Sequence, residues 1–169
     1  MLPSIRRQLT MFVPHPDATV IESIRSHYNP AQRAIIDSHV TLCREDELTS
    51  LDQVLQNLNI LQQPPLTIRF GDIIPSEGGK GVLLPAVAGR EAFHRVRQIL
   101  LQDITSHPRE IEPHITLMHP RNSTCNDAIF EEIRSYKLPK VIQFDAISLI
   151  EQVDGGPWQV QQTYKLPWQ

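Results

Sequence analysis

Apolar residues along this chain recur at every second position in some stretches and at every third or fourth in others, and the switches between periods divide it into elements. Residues 8–14 read as a strand stopped by Pro14, whose missing amide cannot extend a ladder. Asp17 stands where it would cap a helix over 17–28 with Val20, Ile21 and Ile24 inward, and Asn29-Pro30 ends it. A strand is predicted over 35–44, then a helix over 47–61 whose stripe of Leu51, Val54, Leu55 and Leu58 belongs to a core. Residues 66–74 form the next strand, Glu77-Gly78-Gly79-Lys80 a turn, and 81–87 a returning strand. A helix over 90–103 points Phe93, Val96 and Leu100 inward, a strand follows over 111–118, and Asn126 caps a helix carrying Ile129, Phe130 and Ile133. Strands over 140–152 and 158–166, joined by Asp154-Gly155-Gly156-Pro157, close the chain. The order strand-helix-strand-helix-strand occurs twice, in halves of about 8–75 and 80–167, with one strand added at the end. That order favours an α+β or α/β sandwich of two sheets with helices on the outer faces, within a single domain.

Each half carries the same four-residue pattern on its middle strand: His39-Val40-Thr41-Leu42 and, 75 positions later, His114-Ile115-Thr116-Leu117. On a strand, His and Thr share one face and the aliphatic pair the other. Seven histidines and nine threonines in 169 residues give about 0.4 chance His-x-Thr triplets. Two copies with matching aliphatic neighbours therefore stand out, although either alone reads equally well as a hydrogen-bonded strand residue. Brought together by the internal duplication, the two would place two imidazoles and two hydroxyls around one cleft, which is equipment for moving protons at a phosphate.

Composition narrows the classes. At 169 residues, 40% hydrophobic and 21% charged, the chain reads as a soluble globular domain. The net charge of −3 and pI near 6.1 exclude a general binder of long nucleic acid, but not a ligand with one or two phosphates. Such a ligand needs only a few local cations, and Arg44, Arg69 and Arg121 are the nearest by sequence or strand position. Neither a signal-peptide run near Met1 nor an apolar stretch long enough for a membrane span is visible, so a cytoplasmic location is expected. Cys43 and Cys125 are expected as free thiols, with Cys43 either lining the cleft beside Thr41 or packing as a small hydrophobe.

With its paired His-x-Thr motifs, a first strand ending in Phe12-Val13-Pro14 and a duplicated element order, the chain resembles the 2H phosphoesterase superfamily, within its 2′-5′ RNA ligase and cyclic phosphodiesterase branch. The resemblance covers essentially the whole chain, and its specificity lies in the two motifs. It implies an α+β, two-lobed LigT-like fold with a central cleft, and metal-free, cofactor-free chemistry on 2′,3′-cyclic phosphates or 2′-5′ phosphodiester links. His39, Thr41, His114 and Thr116 then take the catalytic positions, and the partner is a small phosphoester or an RNA 3′ end. Family membership specifies reaction type better than substrate.

Histidine suits both proton transfers of phosphodiester hydrolysis because its ordinary pKa lies near 6.5. One imidazole would act as base and the other as acid, while the threonine hydroxyls donate to the phosphoryl oxygens. Arg44 and Arg121 are candidate phosphate ligands, and Phe12 or Tyr164 a candidate platform for a base, Tyr164 sharing an alternating face with Trp158, Val160 and Leu166. His119 is expected at the cleft rim or on the surface. Two other classes stay open: a metal-dependent hydrolase using His39, His114 and His119, weakened by the lack of His-x-His, His-Glu-x-x-His or a neighbouring carboxylate, and a non-catalytic binder of nucleotides or RNA ends.

Overall fold

The computed structural model describes residues 1–167. Among the described residues, nine strands form two antiparallel sheets. The first runs in the order β2 (His39–Cys43), β1 (Ile5–Phe12), β8 (Ala146–Val153), β9 (Gln159–Lys165). In the second, β5 (Gly81–Ala88) has β6 (His114–Met118) on one edge, while β3 (Leu66–Phe70) and the short β4 (Ile74–Ser76) lie along the other, and β7 (Val141–Phe144) pairs with β3. Each sheet thus reads motif strand, long strand, third strand, edge strand, and the two motif strands, β2 and β6, lie beside each other where the sheets meet.

The sheets do not follow the halves of the sequence. The third and fourth strands of the first sheet come from the C-terminal end, and β3 of the first half joins the second sheet. The strand predicted over 140–152 is accordingly two strands. Its first part pairs with β3 and its second with β1 and β9, the chain changing sheet at Asp145. Ile147, Ser148, Leu149 and Ile150 are all buried, so both faces of β8 are covered here and the alternation of a half-exposed strand is absent.

Helices α1 (Ala18–Tyr28) and α4 (Arg90–Leu100) are equivalent in the two halves, and each packs on the motif strand of the other sheet: α1 on β6, α4 on β2. Their inner stripes, Ile21-Ile24-Arg25 and Phe93-Val96-Arg97, each place an arginine as the eighth residue of an eleven-residue helix. Both arginines are buried, at 2% and 1% exposure. Asp17 precedes α1 but makes no side-chain capping bond, whereas Asn126 Oδ1 accepts from the Ile129 amide at 2.9 Å as the capping pattern requires. Gly89 opens α4 with φ +85°, packed so closely on the Thr67 carbonyl that a Cβ has no room.

Other boundaries shift. A short helix, α2 (Pro30–Ile35), occupies the start of the predicted first motif strand, and the second begins at His114. The helix predicted over 47–61 is a 3-10 turn (Glu45–Glu47) followed by α3 (Leu51–Asn59), and α5 spans Asp127–Arg134. No helix among the described residues is long and apolar enough to cross a membrane.

Candidate active site

The motif strands are built alike. His39 pairs with Phe12 and Thr41 with Thr10 across β1; His114 pairs with Pro85 and Thr116 with Leu83 across β5. One residue later both ladders slip: Cys43 lies opposite Leu9 and Met118 opposite Val82, so Leu42 and Leu117 are the extra residues of two matching bulges. The slip turns Cys43 and Met118 away from the histidine face into the core, at 0% exposure. Cys43 therefore packs as a small hydrophobe and does not line the cleft, and burial pushes its thiol up to about 12.

Both histidines are anchored by the same bond. Nδ1 of His39 is 2.8 Å from the Asp37 carbonyl, and Nδ1 of His114 is 2.9 Å from that of Glu112. A carbonyl only accepts, so each Nδ1 carries the proton and each neutral ring keeps its lone pair on Nε2. The carbonyls between, of Ser38 and Pro113, accept from Val13 and Ala86 at 3.0 Å, tying each anchor to its sheet. Burial pulls the His39 pKa down to about 4, helped by the Arg25 and His114 charges and opposed by the Asp37 carbonyl, so His39 is neutral at pH 7.

The two imidazoles and both threonine hydroxyls line one cavity of about 190 Å³. That is below the roughly 300 Å³ at which pockets for whole small ligands begin, and it has room for a group of about phosphate size. Its walls add Arg6 and Gln8 from β1, Arg25 from α1, Gln32 and Ile36 from α2 and its end, His119 and Arg121 after β6, and Trp158 before β9. Among the described residues no carboxylate lines it. Arg6 lies 5.4 Å from the Trp158 ring and donates to Glu45 at 2.8 Å, which holds both side chains at that end of the cavity.

Of the residues singled out beforehand, His39, Thr41, His114, Thr116 and Arg121 are brought together here. Arg44 is not: it is exposed, and its amide donates to Glu47 Oε1 at 3.0 Å. Arg69, also exposed, lies on β3 outside the cavity. Phe12 stands edge-on to His39, 6.3 Å between centroids, and lines a separate crevice with Ile35 and Trp158. Tyr164 packs on the core. The face it was expected to share with Trp158 and Val160 is broken by a bulge in β9 that puts Val160 opposite Ile150 but Gln162 opposite Leu149. Arg6, Gln8, Arg25, Gln32 and Trp158 were missed. Arg6 and Gln8 share strand parity with Thr10 and Phe12, and Arg25 interrupts an apolar helical stripe; both signals lie in the sequence.

His119 lines the cavity with the opposite hydrogen-bond polarity to the motif pair. Its Nδ1 accepts from the Arg121 amide at 3.1 Å, so its neutral ring carries the proton on Nε2. Asn29, 1% exposed, fixes this corner by accepting from the His119 amide at 2.8 Å and donating to the Asn122 carbonyl at 3.1 Å. Among the described residues no group of three or more His, Cys, Asp or Glu side chains is arranged to hold a metal ion.

A duplicated two-sheet fold that delivers two His-x-Thr strands to one cationic cleft has the architecture of the two-histidine phosphoesterases. Residues 12–156 match the sequence profile of the 2′-5′ RNA ligase superfamily, and the chain belongs to that family. Solved structures share the fold at low identity. Escherichia coli LigT in its apo form aligns over 100% of both chains at 14% identity with a TM-score of 0.64. LigT complexed with 3′-AMP covers 99% of this chain and 100% of its own at 15% identity and 0.63. The TT0787 protein of Thermus thermophilus covers 97% and 99% at 18% and 0.59. No curated protein sequence matches the chain at a significant level.

Proposed function

We propose that the protein is a metal-independent phosphodiesterase that opens 2′,3′-cyclic phosphates or cleaves 2′-5′ phosphodiester bonds of nucleotides or RNA 3′ ends, in a cytoplasmic setting. The observation that carries this reading is the matched anchoring of His39 and His114, which leaves two Nε2 atoms as the proton-transfer groups of one cavity. In hydrolysis His39, neutral at pH 7, takes a proton from water as its oxygen attacks phosphorus. As the bond to the ribose oxygen breaks, His114 gives that oxygen a proton. The roles exchange in the ring-closing direction. Thr41 and Thr116 donate to the non-bridging oxygens, where charge builds, and the surrounding guanidinium groups favour the anion. LigT crystallised with 3′-AMP is a relative of the same fold holding a ribose 3′-phosphate, consistent with this substrate class.

The test is hydrolysis of the four nucleoside 2′,3′-cyclic monophosphates with EDTA present, comparing wild type with His39→Ala and His114→Ala and identifying the product isomer. Turnover that survives chelation and collapses in both variants supports the two-histidine reaction. Loss of turnover to EDTA would replace it with metal-dependent hydrolysis, and no turnover with binding alone would reduce the protein to a nucleotide or RNA-end binder.

A further inference from the structure

The 3-10 turns that follow the two motif strands occupy equivalent positions, 75 residues apart: Glu45-Asp46-Glu47 after β2, Pro120-Arg121-Asn122 after β6. Their charges are opposite. In the first turn every carboxylate meets an arginine: Glu45 meets Arg6 at 2.8 Å, Asp46 meets Arg109 at 2.7 Å and Glu47 meets the buried Arg97 at 2.6 Å. In the second, the position of Asp46 is taken by Arg121, which has no ion-pair partner among the described residues and lines the cavity. Asn122 replaces Glu47, so the buried Arg25 on this side has no counterpart of the Glu47 carboxylate and pairs with Glu22 of its own helix at 2.6 Å. Arg25 also lines the cavity, whereas its equivalent Arg97 does not.

The acidic turn spends its charges on ion pairs within the protein, whereas the basic turn presents Arg121 to the cavity, where it bears on what binds there. We propose that Arg121 and His119, backed by Arg25, form a second anion subsite that takes a phosphate on the 5′ oxygen of the ribose whose 2′,3′ edge lies between the histidines. The proposal rests on the phosphodiesterase reading for the placement of that ribose. The geometry of this corner supports it. His119 and Arg121 line the same cavity as Thr116, three and five residues further along the chain. His119 presents Nε2–H, a donor suited to a phosphate oxygen, in its neutral ring, where a neutral motif histidine presents a lone pair. Burial, and then the Arg121 charge, pull the His119 pKa down, so it donates as a neutral ring. The Asn29 clamp and the Asn122-to-Gln32 bond at 3.0 Å hold the corner in place before any ligand arrives.

The test separates two forms of that phosphate, a terminal monoester and the internucleotide diester of an RNA end. The experiment measures dissociation constants by calorimetry for adenosine 3′-monophosphate, adenosine 3′,5′-bisphosphate and a dinucleotide 3′-phosphate. Wild type is expected to bind the bisphosphate at least about tenfold more tightly than the monophosphate. Arg121→Gln is expected to reduce that ratio to about two, and Arg121→Asp, which restores the charge found in the first turn, to abolish it. Arg121 is exposed, so neither change threatens folding. A gain shared by the dinucleotide assigns the subsite to RNA ends, and a gain from the bisphosphate alone assigns it to mononucleotides. Equal wild-type affinities, or a ratio unchanged in both variants, overturn the proposal. Since binding is read without turnover, an inactive wild type would sink the hydrolytic reading while leaving this comparison decisive.

Discussion

The two segments that run from an anchoring carbonyl through a motif strand into a 3-10 turn, 37–47 and 112–122, are alike in backbone and unlike in charge. Through the first seven residues they share the carbonyl-to-Nδ1 bond, the exposure of His and Thr, and the bulge that buries the fifth strand residue. Beyond that point one turns acidic and locks a buried arginine into the core, and the other turns basic and opens onto the cavity. On the proposed reading, the shared part supplies the two proton-transfer groups. The divergent part makes the ends of the cleft different, and a cleft with different ends can orient a chemically asymmetric ligand.

The largest effect expected is on the shared part. His39→Ala and His114→Ala should each lower kcat/KM on a 2′,3′-cyclic nucleotide by at least about 10²-fold, and the double variant should lose little more than either single one, as for groups that act together. A large loss in only one of them would break the equivalence of the halves. On the divergent part, Glu47→Gln leaves Arg97 buried beside a neutral partner and should cost about 3 kcal/mol or more in denaturant unfolding. Asn122→Ala at the equivalent position, losing one half-buried hydrogen bond, should cost no more than about 1 kcal/mol. Similar costs would mean that the acidic turn is not the structural one.

Thr41→Val and Thr116→Val, which remove a hydroxyl at constant shape, should lower kcat by about tenfold to 10²-fold. The effects should match if a phosphoryl oxygen meets both sides. The smallest effect expected is on pH dependence. The folded-state pKa of His39 is held near 4 against an ordinary 6.5, so between those values the unfolded chain binds more protons and stability rises with pH, levelling above 6.5. Thermal unfolding followed from pH 4 to 7.5 should show this slope, and His39→Asn should flatten it. For the same reason the acid limb of kcat/KM should have its midpoint nearer 4 than 6.5.

What was legible in the sequence was local. The helical stripes of α1 and α4, the glycine turns at 77–80 and 154–157, the Asn126 cap and each His-x-Thr motif taken singly all follow from spacing within a dozen residues. The failures share a cause as well. A bulge shifts strand parity by one, so alternation read through it puts Cys43 on the cleft face and Val160 and Tyr164 on one face, when Cys43 faces the core and the other two lie on opposite faces. Periodicity is equally blind to a strand that changes sheet without a break, as the chain does at Asp145.

By itself, the sequence determined most element types and the four motif residues, which are written in short-range pattern and residue chemistry, and the duplication, which is written in the repeat of one pattern 75 positions later. The tertiary structure decided which strands share a sheet, which way each bulge turns its neighbours, and which cations meet in the cleft. Arg6, Arg25, Arg121 and Trp158 come from separate elements spread across more than 150 residues of chain. They converge only because long strands pair early and late segments, β1 with β8 among them, and no local period records a contact made at that separation.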